Sequence, residues 1–264
     1  MAEARPLADV QSTADNRDLE IDKVGVKNVR YPIVVLDKIA GTQQTVASIS
    51  MFVDLPRQFR GTHMSRFVEI LNEFRGRIGI RDVARILEEM KRRLEATSAH
   101  LEVSFPYFIE KKAPVSGASG LMEYECAILA ELKDQQPDIV VEVSVPITTL
   151  CPCSREIADF GAHNQRARVK VRFRFNRFVW IEDIITLVEQ CASSEVYSVL
   201  KREDEKYVTE RAYHNPAFVE DVVRSAAQRL AGTPGVTWYS VEAEAFESIH
   251  NHSAYAFIDG GRVA

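Results

Sequence analysis

Cys151 and Cys153 are separated only by Pro152, and His163 follows in the same polar stretch, LCPCSREIADFGAHNQR, residues 150–166. A disulfide across one residue is strained, so two free thiols side by side are expected. Thiolate and imidazole are natural ligands for zinc or ferrous iron, but this is not a finger spacing. The stretch therefore reads equally as a metal site or as a capped loop with two buried thiols. A second polar segment, VLKREDEKYVTERAYHN (199–215), offers Glu203, Asp204, Glu205, Glu210 and His214. A charge run of that kind is more often a solvated face. A third, EAEAFESIHNHSAY (242–255), sets Glu247, His250 and His252 where one strand turns into the next. A histidine pair at a hairpin is more often structural than catalytic. Three segments in one half of a chain, each pairing imidazole with thiolate or carboxylate, point to a site more strongly than any one of them does.

The elements that must position these groups follow from periodicity. Val24–Asp37 and Thr45–Leu55 are runs rich in Val and Ile joined at Ala40-Gly41, a hairpin. Phe67, Ile70, Leu71 and Phe74 make one helical stripe, with Gly76 as its stop, and Val83, Leu87, Met90 and Leu94 make another. Strands are expected near His100–Ile109 and Met122–Leu132. The second half repeats the order. Val141, Val143 and Val145 alternate with polar residues, as do Val169, Val171, Phe173 and Phe175 with Arg168, Lys170, Arg172 and Arg174. A helix runs through Ile181, Ile184, Ile185 and Val188, and another is framed by Asn215 as N-cap, Pro216 at N1 and Gly232 as stop. Strands near Val236–Ala243 and Ala254–Ile258 close the chain. The class is α+β, with two tandem ββααββ units, antiparallel sheets and helices on one face. The division expected is an N-terminal extension over 1–22, a first unit over 23–135, and a second unit over 136–264 that carries most of the site.

Composition bounds the function classes. The chain has 264 residues, 46% hydrophobic and 27% charged, with a net charge of -5. That is ordinary for a globular protein of two domains and speaks against general binding to nucleic acid or an anionic membrane. No apolar run approaches the ~20 residues of a membrane helix, and the first residues lack the apolar core of a signal peptide. A cytoplasmic enzyme is the expectation. Cys126 and Cys191 read as buried packing thiols. The four basic side chains Arg168, Lys170, Arg172 and Arg174 must face away from the helices. They form either a solvated surface or the positive lining of a sheet closed by several subunits.

CPCSREIADFGAHNQR is similar to the signature of type IB GTP cyclohydrolases, enzymes of the tunnelling fold. So are DVQSTADNR (9–17), GTHMSRF (61–67), KREDEKYVTERAYHNPAFVED (201–221) and FESIHNH (246–252). The resemblance runs in order through nearly the whole chain. It implies the tunnelling fold and conversion of GTP to 7,8-dihydroneopterin triphosphate and formate, a first step of folate, pterin and 7-deazaguanine synthesis. It also implies one divalent metal per active site (zinc, manganese or ferrous iron) and a homotetramer with active sites at subunit interfaces.

Carbon 8 of guanine is a poor electrophile, so an activated water is needed, and a metal with three protein ligands and an open position supplies it. On the resemblance, Cys151, His163 and Glu205 are the expected ligands. Cys153, taken to share a face of an extended segment with Cys151, is expected to face the substrate as a thiolate or proton donor. Glu247 is expected to accept from guanine N1–H and N2–H, His250 to shuttle protons, and Glu220, in the first turn of a helix, to be a second candidate for the acid/base role after His250. Arg66, Lys201, Arg202 and part of the Arg168–Arg174 stripe are expected to meet the triphosphate.

The competing readings are a related cyclohydrolase giving a cyclic phosphate, a nitrile reductase of the same fold, a non-catalytic purine- or pterin-binding oligomer, and a thiol redox protein. The reductase's cofactor motif is absent, and C-P-C in this pattern is not thioredoxin-like.

Overall fold

The computed structural model describes residues 11, 13, 15–75 and 78–262. Residues 9, 10, 12 and 14 of the stretch 9–17, and Gly76, the expected helix stop, lie outside the described residues. The element order is β1 (Ile21–Asp37), β2 (Gly41–Leu55), α1 (Met64–Glu73), α2 (Val83–Leu94), β3 (Ala99–Lys112), β4 (Ser119–Leu132), β5 (Asp138–Leu150), α3 (Pro152–Ile157), β6 (Asn164–Phe175), α4 (Ile181–Glu189), β7 (Ser194–Glu195), α5 (Arg202–His214), α6 (Val219–Ala231), β8 (Val236–Ala245) and β9 (Ala254–Asp259). This is ββααββ twice, with α3, β7 and α5 added in the second half. Strand order is β1-β2-β3-β4-β5-β6-β8-β9, with β7 on β5.

The chain packs as two compact units: 1–105 with 128–139, and 106–127 with 140–264. The two units interleave along the chain, the last crossing lying at 139/140. β3 and β4 are longer than the sequence runs suggested, and their outer ends pack with the second unit.

In the first unit, β1 and β2 pair antiparallel from Asp37↔Gly41 back to Val24↔Val53. The turn is held by Asp37, whose Oδ1 accepts from the backbone N–H of Ile39 and Ala40 at 2.8 and 2.6 Å, while Gly41 takes φ 81°. Gly25 lies so close to β2 that a Cβ there would sit 1.9 Å from the Met51 carbonyl oxygen, so glycine is required. Phe67, Ile70 and Leu71 of α1 and Val83, Ile86, Leu87 and Met90 of α2 are buried, as are Ile49, Met51 and Val53 of β2. The helical stripe thus meets the alternate residues of the strands.

In the second unit, β5 and β6 pair in strict alternation. Val141↔Phe173, Val143↔Val171, Val145↔Val169 and Ile147↔Ala167 face inward, and Val241, Ala243 and Ala245 of β8 continue the layer. α4 and α6 cover it with Ile184, Ile185, Val188, Val222, Val223, Ala226 and Leu230. Each Val, Leu or Ile side chain among them contributes about 1.5–3 kcal/mol by leaving water. α6 begins at Val219, later than the Asn215-Pro216 signal suggested. Its N-cap is Phe218, whose N–H donates to Asp221 Oδ2 at 3.1 Å, and Asn215 instead ends α5.

The opposite face of these strands carries the basic stripe, and it is not a bare positive surface. Arg172 Nε lies 2.6 Å from Glu142 Oε2 on β5, and Arg174 stacks over Trp238. Lys170 and Arg168 stand across from Glu242 and Glu244 of β8. Cross-strand pairing of opposite charge is the ordinary way to stabilise such a face.

Candidate functional site

The inward register of the second unit does not stop where its apolar residues stop. After Ile147↔Ala167 the next inward pair is Thr149↔Gln165. Beyond it, the Cys151 N–H donates to the His163 carbonyl at 3.1 Å. On the other side of β6, the Phe246 N–H donates to the Arg166 carbonyl at 2.9 Å, which extends the alignment past Ala245 and brings Glu247 beside Gln165. Two polar rows therefore close the end of the core: Thr149–Gln165–Glu247, and Cys151–His163 one step further out. The same two-residue period that builds the core delivers the chemical groups.

Side-chain contacts join the rows. Gln165 Nε2 lies 3.2 Å from Glu247 Oε1, and Gln165 Oε1 lies 3.1 Å from His163 Nδ1. His163 Nδ1 and Glu247 Oε2 are 4.0 Å apart. Ser154 locks the loop: its N–H donates to Cys151 Sγ at 3.4 Å, its hydroxyl donates to the Cys151 carbonyl at 3.2 Å, and its Oγ accepts from the His163 N–H at 3.2 Å. The Ala217 N–H donates to the Leu150 carbonyl at 3.1 Å, which seats the start of α6 beside Cys151.

These groups line a cavity of about 270 Å³. Five of the residues expected from the sequence are in its wall: Cys151, His163, Glu220, Glu247 and His250. Glu220 stands in the first turn of α6, and His250 stacks on His252 with centroids 5.1 Å apart. Cys151 and Cys153 are free thiols, as are the buried Cys126 and Cys191.

Two expected residues are elsewhere. Cys153 is exposed and does not line the cavity. The segment is not extended: Cys151 is the N-cap and Pro152 the first residue of α3, and two residues along a helix turn about 200° rather than returning to the same face. Glu205 lies on α5, exposed and outside the cavity wall. Among the described residues no group of three or more His, Cys, Asp and Glu is close enough to hold a metal. One chain thus brings Cys151 and His163 together and leaves Glu205 apart. The expected phosphate-binding residues are not in the wall either, and Arg66 donates to the Arg93 carbonyl at 2.9 Å in the first unit.

The donor set fits a metal of intermediate softness. Sulfur and imidazole line one cavity together with carboxylates, which suits zinc or ferrous iron better than magnesium or calcium. Thr149 and Gln165 were not foreseen. Their signal was a polar residue at a core phase: Thr149 follows Val141, Val143, Val145 and Ile147, and Gln165 precedes Ala167, Val169 and Val171.

A family model described as type I GTP cyclohydrolase folE2 matches residues 7–256. The chain belongs to that family. Relatives named GTP cyclohydrolase FolE2 from Syntrophus aciditrophicus (strain SB) and Syntrophotalea carbinolica are 60% and 59% identical over 253 residues, covering 96% of this chain and 99% and 95% of theirs. Among solved structures, a uricase from Bacillus fastidious aligns with TM-score 0.54 at 6% identity, over 90% of this chain and 92% of that one. The uricase from Arthrobacter globiformis aligns with TM-score 0.50 at 8% identity, over the same shares. At that identity the likeness concerns the fold, which is the tunnelling fold.

Proposed function

We propose that this member of the FolE2 family is a metal-dependent GTP cyclohydrolase that converts GTP to 7,8-dihydroneopterin triphosphate and formate, for folate synthesis. The observation that carries the reading is one cavity holding the Cys151–His163 donor pair with the Glu247 carboxylate in the adjoining row. Cys151 Sγ and His163 Nε2 would hold the divalent ion. The resemblance adds Glu205 as third ligand, from its exposed place on α5. When bound, the ion supplies an acidified water and a Lewis acid beside the purine. Glu247 accepts from guanine N1–H and N2–H. His250 and Glu220, at the rim, move protons as the imidazole ring opens and formate leaves. Cys153 belongs to this reading only as a thiol outside the cavity of a single chain. The assembly that goes with it is a cytoplasmic homotetramer with active sites between subunits.

The deciding experiment incubates metal-depleted protein with GTP, with and without zinc, manganese or ferrous iron, and follows pterin fluorescence and product mass. Metal-dependent appearance of dihydroneopterin triphosphate is expected. Binding of GTP without turnover under any metal would make the chain a purine-binding module, and a cyclic phosphate product would place it among related cyclohydrolases. Variants divide the roles. Cys151→Ala, His163→Ala and Glu205→Ala should each lose bound zinc, whereas Cys153→Ala should keep it; the reverse result for the two cysteines would exchange their roles. Glu247→Gln sets an amide donor against a donor and should lower kcat/KM by about 30- to 1,000-fold, or roughly 2–4 kcal/mol, with zinc retained. ATP, with an acceptor at N1, should not react, and ITP should react poorly.

A further inference from the structure

Gln165 is the side chain that touches both halves of the cavity. Its amide lies between His163 Nδ1 at 3.1 Å and Glu247 Oε1 at 3.2 Å. A carboxylate only accepts hydrogen bonds, so the amide nitrogen must face Glu247, and the amide oxygen must then face His163. The flipped amide would set oxygen against oxygen. An oxygen facing Nδ1 is satisfied only if Nδ1 carries the ring proton, and in a neutral imidazole the lone pair is then on Nε2. Without the amide, the nearest acceptor for the Nδ1 proton in this row is Glu247 itself, 4.0 Å away. That pairing would occupy a carboxylate needed for substrate.

We propose that Gln165 is a positioning residue that sets the His163 tautomer and the Glu247 orientation together, so that one amide couples metal binding to purine recognition. The inference rests on the reading of His163 as a metal ligand and Glu247 as the guanine acceptor. Its strand position supports it. Gln165 sits at the inward register of β6 directly opposite Thr149, so its backbone is held by the sheet and only its side-chain torsions are free to aim the amide. Ligating histidines commonly have the other ring nitrogen fixed by such an acceptor, and removing it weakens the metal.

The test has a spectroscopic arm, a binding arm and a kinetic arm. In the wild-type, metal-free protein, the 15N imidazole spectrum of His163 should show a protonated Nδ1 and a bare Nε2. Gln165→Leu should weaken zinc binding by about 10- to 100-fold in competition with a chelating indicator, and should raise KM for GTP. Gln165→Glu keeps an acceptor for Nδ1–H but opposes Glu247 with a second carboxylate. Its zinc affinity should stay within about threefold of the parent while KM for GTP rises about 10-fold or more. The split between the two variants is what a merely structural role does not produce. A proton found on Nε2, zinc affinity unchanged in Gln165→Leu, or zinc lost from Gln165→Glu as fully as from His163→Ala would overturn the proposal. Should Gln165→Leu fail to fold by circular dichroism, the wild-type spectrum and Gln165→Glu still decide. A wild-type protein that binds zinc with the expected tautomer but never turns over GTP would sink the functional reading and leave only the positioning of His163 by Gln165 standing.

Discussion

A hydroxyl buried without a partner costs about 1–3 kcal/mol, so a folded chain keeps one only where something else bonds it. Thr149 is 1% exposed, its Oγ1 has no hydrogen-bond partner among the described residues, and its side chain lies in the cavity wall. Valine has nearly the same shape and no hydroxyl. If the missing partner is the substrate, Thr149→Val should raise KM for GTP roughly tenfold with the unfolding midpoint unchanged or higher, and Thr149→Ser should restore KM. A more stable Thr149→Val enzyme with wild-type kinetics would show the hydroxyl to be an orphan with no role. At this scale the sequence was legible where residue type is distinctive: Cys151, His163, Glu220, Glu247 and His250 all reached one cavity. Thr149 and Gln165 were not, because threonine and glutamine are common on strands and only their phase against Val143–Ile147 and Ala167–Val171 marks them.

Helix α5 shows what periodicity cannot reveal. Only Asp204 and Ala212 of its thirteen residues are buried, so it has no apolar stripe, and the stretch reads as a solvated charge run. Its hold on the unit is polar. Asp204 accepts from the N–H of Val115 and Ser116 at 2.8 and 2.9 Å, from the Ser116 hydroxyl at 2.6 Å and from the Lys201 N–H at 2.8 Å. Burial works against the Asp204 carboxylate, but those four donors outweigh it and hold the acid well below the usual carboxylate range. Asp204→Ala should therefore release the helix that carries Glu205. Hydrogen exchange across 201–214 should quicken while β5 and β6 stay protected, and equal protection throughout would refute this. At the far end of the same helix, Arg211 lies 3.5 Å from Glu195, which with Glu189 grips Lys111 at 2.9 and 2.6 Å. Lys111→Met would leave the buried Glu189 carboxylate without its cation beside the half-buried Glu195, a loss of about 3–5 kcal/mol. A denaturant midpoint equal to the parent's would refute that. These polar ties join residues far apart in sequence, which is why no local pattern announced them. The hairpin β1–β2 and the strands β5 and β6, whose signals are local alternation, were readable within a few residues.

At the scale of the whole molecule, the strand order leaves two edges, β1 and β9. Among the described residues each has a neighbouring strand on one side only, and a long unprotected edge invites pairing with another chain. β1 is 17 residues long and carries Pro32, which is tolerated in sheets chiefly at an edge. β9 presents Tyr255 and Phe257, 60% and 52% exposed, on the face opposite the helices, registered against Glu244 and Glu242. Two aromatic side chains left in water beside an open edge are costly in a monomer and useful in an interface. The expectation is a closed homotetramer, in which no edge is left over. Light scattering at micromolar concentration should give about four times the chain mass of 29.8 kDa. If β9 lies in the contact, Tyr255→Glu combined with Phe257→Glu should lower that mass while the circular dichroism stays native, since neither side chain belongs to the core of its own unit. The double variant should also lose GTP turnover while each chain keeps the Cys151–His163 pair, because the sites are proposed to lie between subunits. A monomeric wild-type chain with full activity would remove the assembly from the functional reading. A tetramer that survives the double substitution would keep the assembly and move its contact away from β9.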